Sequence, residues 1–361
     1  ATDKGDPDKA FADAAVVVEE EIVTHRYVAA PMEPRGILAT VDPVNNALTV
    51  WASTQTPHIL QMILATSLKQ STETIRVIAC DVGGGFGQKG IQAVEDVLVP
   101  FAARELGRPV KWVEERGENL TAAAHARDQV HRIAMAATAD GRIVAVRDDV
   151  LVNFGAYNVI GLVVPYNTLS HLLGVYDIPN ARICVRGILT NTTFTTPYRG
   201  AGRPEAVFAM ERIIDRLAAK LGMDAADVRA KNIVPASAMP YDTGRADGTY
   251  LGVGFALYVE GSGMGPFEGA TVRVLPSGRV EVATGACSQG QGHRTVYAQI
   301  AADALGVPFE SVDVIGGDTA KIGFGIGTIA SRSTVTAGNA IHAAATQVKD
   351  RALAIASDML E

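Results

Sequence analysis

Two stretches of this chain carry the same succession of elements, and that duplication constrains the fold more than any single motif. Leu48 to Ile78 and Val280 to Ile315 each read as a strand, a glutamine-bearing loop, an amphipathic helix, a short turn and a second strand. The correspondence is tightest at the end, where Leu68, Glu73, Ile75, Val77 and Ile78 align without gaps on Leu305, Glu310, Val312, Val314 and Ile315. Both copies finish in glycines, Gly83 to Gly87 in one and Gly316-Gly317 in the other. A strand–helix–strand unit joins parallel strands, so the pattern predicts an α/β protein of mixed α+β character, with two related lobes and equivalent loops.

The rest of the chain fits around these copies. Ala14 to Val23 reads as extended, and Thr24 to Gly36 as a loop punctuated by Pro31 and Pro34. A helical run from Ala93 to Leu106 closes with Gly107, while Val130 to Ala156 and Ala181 to Thr192 alternate like antiparallel strands. Pro204 suits the first turn of a helix from Glu205 to Leu221, and an alanine-rich helix is expected from Ala340 to Leu360. Val234 to Tyr250 is polar and rich in turn residues. The expected division is therefore a first lobe over 1–235, a linker or the site of a missing segment over 236–250, and a second lobe over 251–361.

Four glycine- or hydroxyl-rich loops stand before helices: Gly83 to Lys89, Arg199 to Pro204, Gly285 to Thr295 and Gly323 to Thr336. Free N–H groups at a helix start suit an anion, and Gln289, Gln291 and His293 add donors and acceptors at close range. Converging loops of this kind would serve one large polyanionic ligand. A dinucleotide fingerprint at Gly83 to Gly87 fails on spacing, because position 88 is Gln where Gly or Ala is required. The chain has no Walker lysine pattern, and no G-x-S-x-G elbow accompanies Ser288 and His293.

A net charge of −7 argues against nucleic acid as a partner. Cys80, Cys184 and Cys287 lie far apart, so they form neither a zinc site nor an iron–sulfur site by themselves. With a polar, acidic start and no apolar run long enough for a bilayer, the expected location is the cytoplasm, without membrane attachment.

Pro31-Met-Glu-Pro-Arg35, Gly83-Gly-Gly-Phe-Gly87, His125-Ala-Arg-Asp128, Tyr198-Arg-Gly-Ala-Gly-Arg-Pro-Glu205, Gln289-Gly-Gln-Gly-His293 and Ser331-Arg-Ser-Thr334 occur in one order over nearly the whole chain. Together they resemble the molybdenum-binding large subunit of the xanthine dehydrogenase and aerobic carbon monoxide dehydrogenase family. The resemblance implies a molybdenum pyranopterin between the two lobes, as the cytosine dinucleotide in bacterial members, with no metal ligand from the protein itself. Gly85, Phe86 and Gly87 would approach the metal's oxo group. Gln289, Gly290, Gln291, Gly292 and His293, with Thr328, Ser331, Ser333 and Thr334, would hold pterin and phosphate, helped by Arg229. Arg199 matches a catalytic arginine facing the substrate, and His25 stands where relatives carry glutamine at the substrate pocket. The implied reaction is hydroxylation of an N-heterocycle or aldehyde with water-derived oxygen. Electrons would leave through iron–sulfur clusters and FAD on partner subunits, in a dimer of hetero-oligomers. A non-catalytic cofactor-binding or assembly module, completed by a partner chain, is the alternative.

The departures from the family pattern shape three further expectations. Gly200 stands where carbon monoxide dehydrogenases carry a copper-binding cysteine, so carbon monoxide is not the expected substrate. An N-terminal domain, a segment between Tyr250 and Leu251, and the C-terminal stretch with the catalytic glutamate have no counterpart here. The chain is thus expected to be a fragment that does not turn over alone, with Glu33, Glu205 and Glu268 as weak candidates for the base.

Overall fold

The computed structural model describes residues 1–239, 262–263 and 265–360. The contacts group the chain into two compact units, one of Ala1–Val28 with Ala124–Glu260, the other of Ala29–Ala123 with Gly261–Glu361. The first unit holds a five-stranded sheet in the order Thr2–Lys4, Asn180–Leu189, Ile143–Gly155, His125–Ala137, Val16–Val28. Helix Arg203–Leu221 lies on it, because Ala206, Ala209, Met210, Ile213, Ile214, Leu217 and Ala218 recur at helical spacing and form one buried stripe against Ile133, Met135, Ile143 and Ile183. Each large side chain so buried contributes about 1.5–3 kcal/mol.

Two readings of this sheet need correction. The strand after Ala14 runs on to Val28, with Val28 opposite His125, so His25 sits in a strand and not in the proline-punctuated loop. Pairing along the whole of His125–Ala137 holds the chain extended until the prolines begin at Pro31. Asn180–Leu189 pairs parallel, not antiparallel, with Ile143–Gly155. The intervening segment crosses over through helix Val163–His171, which returns the chain in the same direction.

The second unit holds two sheets, ordered Ile75–Ile78, Leu48–Ala52, Gly36–Val41, Val110–Val113 and Ala270–Val274, Val280–Thr284, Val312–Gly316. The duplicated segment is plain in both. Leu48–Ala52 runs parallel to Ile75–Ile78 with Leu48 opposite Ile75, and Val280–Thr284 runs parallel to Val312–Gly316 with Val280 opposite Val312. Helices Pro57–Leu68 and His293–Leu305 make the two crossovers, each followed by one short 3₁₀ turn. Helix Glu95–Leu106 ends at a left-handed Gly107, as its sequence requires.

Both copies lie in this one unit, whereas the division at 235–251 would put them in separate lobes. The physical reason is long-range pairing: Val16–Val28 joins His125–Ala137, which excludes residues 29–123 from the first sheet and leaves them to pack with the C-terminal segment. The break at Tyr250 and Leu251 lies outside the described residues. Among the described residues no helix is long and apolar enough to cross a membrane.

The copies interlock at the ends of their last strands. Ala79 N–H donates to the Gly317 carbonyl at 2.9 Å, and Thr319 N–H donates to the Val77 carbonyl at 3.1 Å. Arg76 completes the junction by donating to both oxygens of Asp318, at 3.0 and 2.6 Å. Burial pushes the Asp318 carboxyl up, but the Arg76 hydrogen bonds, the Ala320 N–H and the charges of Arg76 and Lys321 outweigh it and hold the group below its ordinary value. A depressed carboxylate stabilises the fold above its unfolded pKa, near 3.8, and loses that contribution as pH falls through the folded value. Arg76→Met should therefore lower the unfolding free energy at pH 7 by about 1–2 kcal/mol, discounted for the half-exposed arginine. Urea melts of the two proteins should converge below pH 4, and a gap of constant size would assign the loss to packing alone.

Candidate functional site

Three loops of the second unit meet on one carboxamide. Gln55, buried in the loop between Leu48–Ala52 and helix Pro57–Leu68, accepts from Gly87 N–H at 2.9 Å and donates to the Thr328 carbonyl at 2.9 Å. Gln289 donates to the same carbonyl at 3.2 Å, and Thr328 Oγ1 donates to the Cys287 carbonyl at 2.6 Å. Backbone pairs close the junction, from Gln55 N–H to Lys89, from Thr328 N–H to Gln55 and from Val82 N–H to Ser288. Glycine is required where these segments touch. A Cβ at Gly85 would stand 2.5 Å from Gln55 Oε1, and one at Gly327, where φ is +98°, would stand 2.1 Å from the Gln55 carbonyl. The fold therefore brings Gly85, Phe86, Gly87, Gln289 and Thr328 together.

The face beside this junction is mainly a set of neutral donors, with one exposed ion pair at its edge, Arg294 with Asp81 at 3.4 Å. Gly290, Gln291 and Gly292 are exposed, with open space where Cβ atoms would project from the two glycines. Gly292 caps helix His293–Leu305 without any side-chain hydrogen bond, so the first-turn N–H groups of the helix are left for another acceptor. Gln291 folds back to accept from Gln289 N–H at 2.6 Å. His293 is buried against Tyr297, and its Nδ1 has no partner. Burial pushes its imidazole below the ordinary value, partly opposed by the Cys287 carbonyl. The loop of the remaining expected residues packs alongside: Tyr297 donates to the Ser333 carbonyl at 3.4 Å, Ser333 is buried, and Ser331 and Thr334 are exposed. Phe86, with φ +54°, presents 40% of its surface.

Charged residues support these loops from behind. Glu33 accepts from Gly83 N–H at 2.7 Å and from the buried Lys89 at 2.8 Å. Burial raises the Glu33 carboxyl, but Lys89, Gly83 N–H and Ser53 together hold it below its ordinary value. Glu268 accepts from Ile326 and Gly327 N–H, both at 3.0 Å, and pairs with Arg332, both side chains being fully buried. Sequence reasoning did not place Gln55, Arg332 or Lys89 in the site. A signal existed for the first, since the repeat aligns its loop with the one carrying Gln289.

In the first unit the Tyr198–Gly202 turn leads into helix Arg203–Leu221, and the Arg199 side chain is exposed with no ion pair among the described residues. Glu205, a carboxylate near Arg199 in sequence, is taken by Arg127 at 2.9 Å. Burial pushes the Glu205 carboxyl above its ordinary value, against the pull of Arg127. His25 is exposed between the pairs Thr24–Gln129 and Arg26–Arg127. Arg229 is a correction. Its guanidinium binds Glu211 at 2.6 Å, Asp215 at 2.8 Å and two backbone carbonyls, so its donors tie helix Ala225–Asn232 to helix Arg203–Leu221 and are not offered to a ligand.

Comparison with known proteins agrees with these motifs. Two families, each described as a molybdopterin cofactor-binding domain, match residues 1–233 and 211–361. The large subunit of nicotine 6-hydroxylase from Paenarthrobacter nicotinovorans is 37% identical over 99% of this chain and 50% of its own length. The carbon monoxide dehydrogenase large chain of Hydrogenophaga pseudoflava is 35% identical over 100% of this chain and 51% of its own. Quinoline 2-oxidoreductase from Pseudomonas putida 86 superposes with a TM-score of 0.90 at 32% identity, covering 96% of this chain and 50% of that one. The chain thus spans about half the length of the relatives it matches.

If Gln55 is the tie between the three loops, Gln55→Leu leaves Gly87 N–H unpaired and the Thr328 carbonyl with Gln289 as its side-chain donor, at nearly unchanged volume. The expected cost is about 1–3 kcal/mol. Hydrogen exchange should accelerate at 83–89 and at 325–329 while residues 125–155 keep their protection. Uniform acceleration across both units would refute a local tie.

Proposed function

The chain belongs to the molybdopterin cofactor-binding domain family, and on that premise we propose that the unit of Ala29–Ala123 and Gly261–Glu361 holds a molybdenum pyranopterin in its cytosine dinucleotide form. The observation that carries this reading is the uncapped start of helix His293–Leu305 behind the open Gly290–Gly292 turn, with the exposed residues Ser331 and Thr334 on the adjoining loop. Such a set fits the group: neutral N–H and O–H donors with free space suit a pyrophosphate, which brings its own charge. Gly85, Phe86 and Gly87, braced by Gln55, would border the metal end, and Gln289 would hydrogen-bond the pterin while Thr328 keeps its loop in place.

The complete protein is proposed to be the large subunit of a molybdenum hydroxylase in the cytoplasm, acting on an N-heterocycle or an aldehyde. The bound group supplies a two-electron oxidation in which oxygen from water enters the substrate. Arg199 is the substrate-side residue, because an exposed guanidinium free of a carboxylate can donate to an oxyanion or ring nitrogen as it gains charge. His25 is proposed to border the same substrate. Glu33, Glu205 and Glu268 are each committed to a cationic partner, which supports a base contributed from outside this chain and no turnover by these 361 residues alone. Electron transfer is assigned to iron–sulfur and flavin partners, in keeping with relatives named as large subunits.

Metal analysis and nucleotide release from natively purified protein test the assignment. Molybdenum and cytosine nucleotide are expected in equal amounts. Gly292→Asn and Gly292→Asp separate charge from shape, since both residues tolerate a positive φ and both can cap the helix. Only the aspartate opposes a phosphate, so Gly292→Asp should lose most of the molybdenum and nucleotide while Gly292→Asn retains them and both keep their melting temperature. Equal retention by the two variants would remove the phosphate from this turn.

A further inference from the structure

His125-Ala-Arg-Asp128 is the one family-like motif that the cofactor reading leaves without a task, and its geometry is costly. Arg127 and Asp128 both have φ +65° inside strand His125–Ala137, although the flanking pairs Arg26–Arg127 and Gln129–Val152 stay in register. Two successive left-handed residues other than glycine persist only where surrounding contacts fix them. Asp128 is held by Arg26 at 2.7 Å and by Asn153 at 2.9 Å. Arg127 reaches instead to the Tyr198–Gly202 turn.

Every carbonyl of that turn is tied down. Arg127 Nη2 donates to Arg199 O at 2.8 Å, and its Nη1 lies 3.5 Å from Tyr198 O, which also accepts from Ala201 N–H at 2.7 Å. Arg203 donates to Gly200 O at 3.3 Å, Asn167 to Ala201 O at 2.9 Å and Thr168 to Gly202 O at 3.2 Å. Gly200, Ala201 and Gly202 are all left-handed, at φ +100°, +48° and +98°. The Arg127 guanidinium also pairs with the buried Glu205 and stacks 4.7 Å from the centroid of the Tyr198 ring. Among the described residues the Arg199 side chain has no ion pair, so its direction is set by the backbone that Arg127 grips.

We propose that Arg127 is a positioning residue, which fixes the direction of Arg199 by holding the carbonyls of Tyr198 and Arg199 against Glu205. The proposal rests on the reading of Arg199 as the substrate-side residue. A guanidinium can serve one carboxylate and two carbonyls at once, whereas a lysine ammonium on a flexible stem cannot match that fork. Misplacing a group that meets the substrate by about 1 Å costs on the order of 100-fold in rate.

The test is a double-mutant cycle in the complete, cofactor-loaded enzyme. Arg127→Met is made together with Glu205→Gln, so that no buried carboxylate is left unpaired, and Arg127→Lys serves as the conservative variant. Expected are a fall in kcat of roughly 10- to 100-fold for the double variant, an intermediate fall for Arg127→Lys, unchanged molybdenum content and faster amide exchange over 198–203. In an Arg199→Gln background the same changes should have no further effect on kcat. Additive losses would overturn the proposal, as would an undiminished kcat or loss of molybdenum in every Arg127 variant. If Arg199→Gln alone leaves kcat untouched, the substrate-side reading of Arg199 fails and takes the proposal with it, an outcome distinct from an Arg199 effect that Arg127 does not share.

Discussion

The site of the second unit depends on how one carboxamide is satisfied. Gln55 is the side chain that both accepts from the Gly83–Lys89 turn and donates to the loop at Thr328, and the Gln289 loop reaches the same carbonyl. A buried amide with both ends paired is directional in a way that apolar contact is not. It holds three segments that are far apart in sequence at hydrogen-bond spacing, and it forces glycine at 85, where any side chain would occupy its space, while the backbone carbonyl of Gln55 forces glycine at 327. The duplication made this possible. One copy supplies Gln55, the other supplies Gln289, and the interlocked strand ends at Ala79 and Gly317 keep the two copies in fixed register.

Three buried cations are paired behind the donor face. Lys89 is consumed by Glu33, Arg332 by Glu268 and Arg35 by the buried Glu114, which also accepts from Asn119 behind the Gly83–Lys89 turn. Burying these pairs is not expected to stabilise the fold greatly, because desolvation offsets most of the attraction. What they do is fix backbone direction: Glu33 orients Gly83 N–H, and Glu268 orients Ile326 and Gly327 N–H. The exposed face is left with amides and hydroxyls, beside one exposed ion pair, Arg294 with Asp81 at 3.4 Å.

The copies, their helices, the Gly107 stop and the glycine loops were legible because each is encoded locally, by periodicity or by a residue with special backbone freedom. Pairings between distant segments were not. Nothing local tells that Val16–Val28 continues to Val28, that Asn180–Leu189 runs parallel, or that residues 29–123 pack with the C-terminal segment. Arg229 was misassigned for a related reason. An arginine in a helix looks alike whether it serves a ligand or a neighbouring helix, and only the positions of Glu211 and Asp215, one turn apart on that neighbour, decide it. Arg127 reads only as part of the His125-Ala-Arg-Asp128 motif until its positive φ is seen.

The two units solve the same problem with opposite ends of the peptide group. Around Gln55 the backbone N–H groups of Gly83, Gly87, Ile326 and Gly327 are tied to side-chain acceptors, while the free donors are displaced to the uncapped helix at Gly292. In the Tyr198–Gly202 turn it is the carbonyls that are tied, by Arg127, Arg203, Asn167 and Thr168. A turn whose carbonyls are all engaged has much of its acceptor capacity taken up by protein donors. Glycine at 200 and 202 gives the backbone this geometry, and the side-chain donors hold it there. A side chain at position 200 would also have to displace Pro204, whose ring lies 2.4 Å from the point where its Cβ would stand. The turn thus combines an exposed arginine with backbone carbonyls that are each engaged by a protein donor.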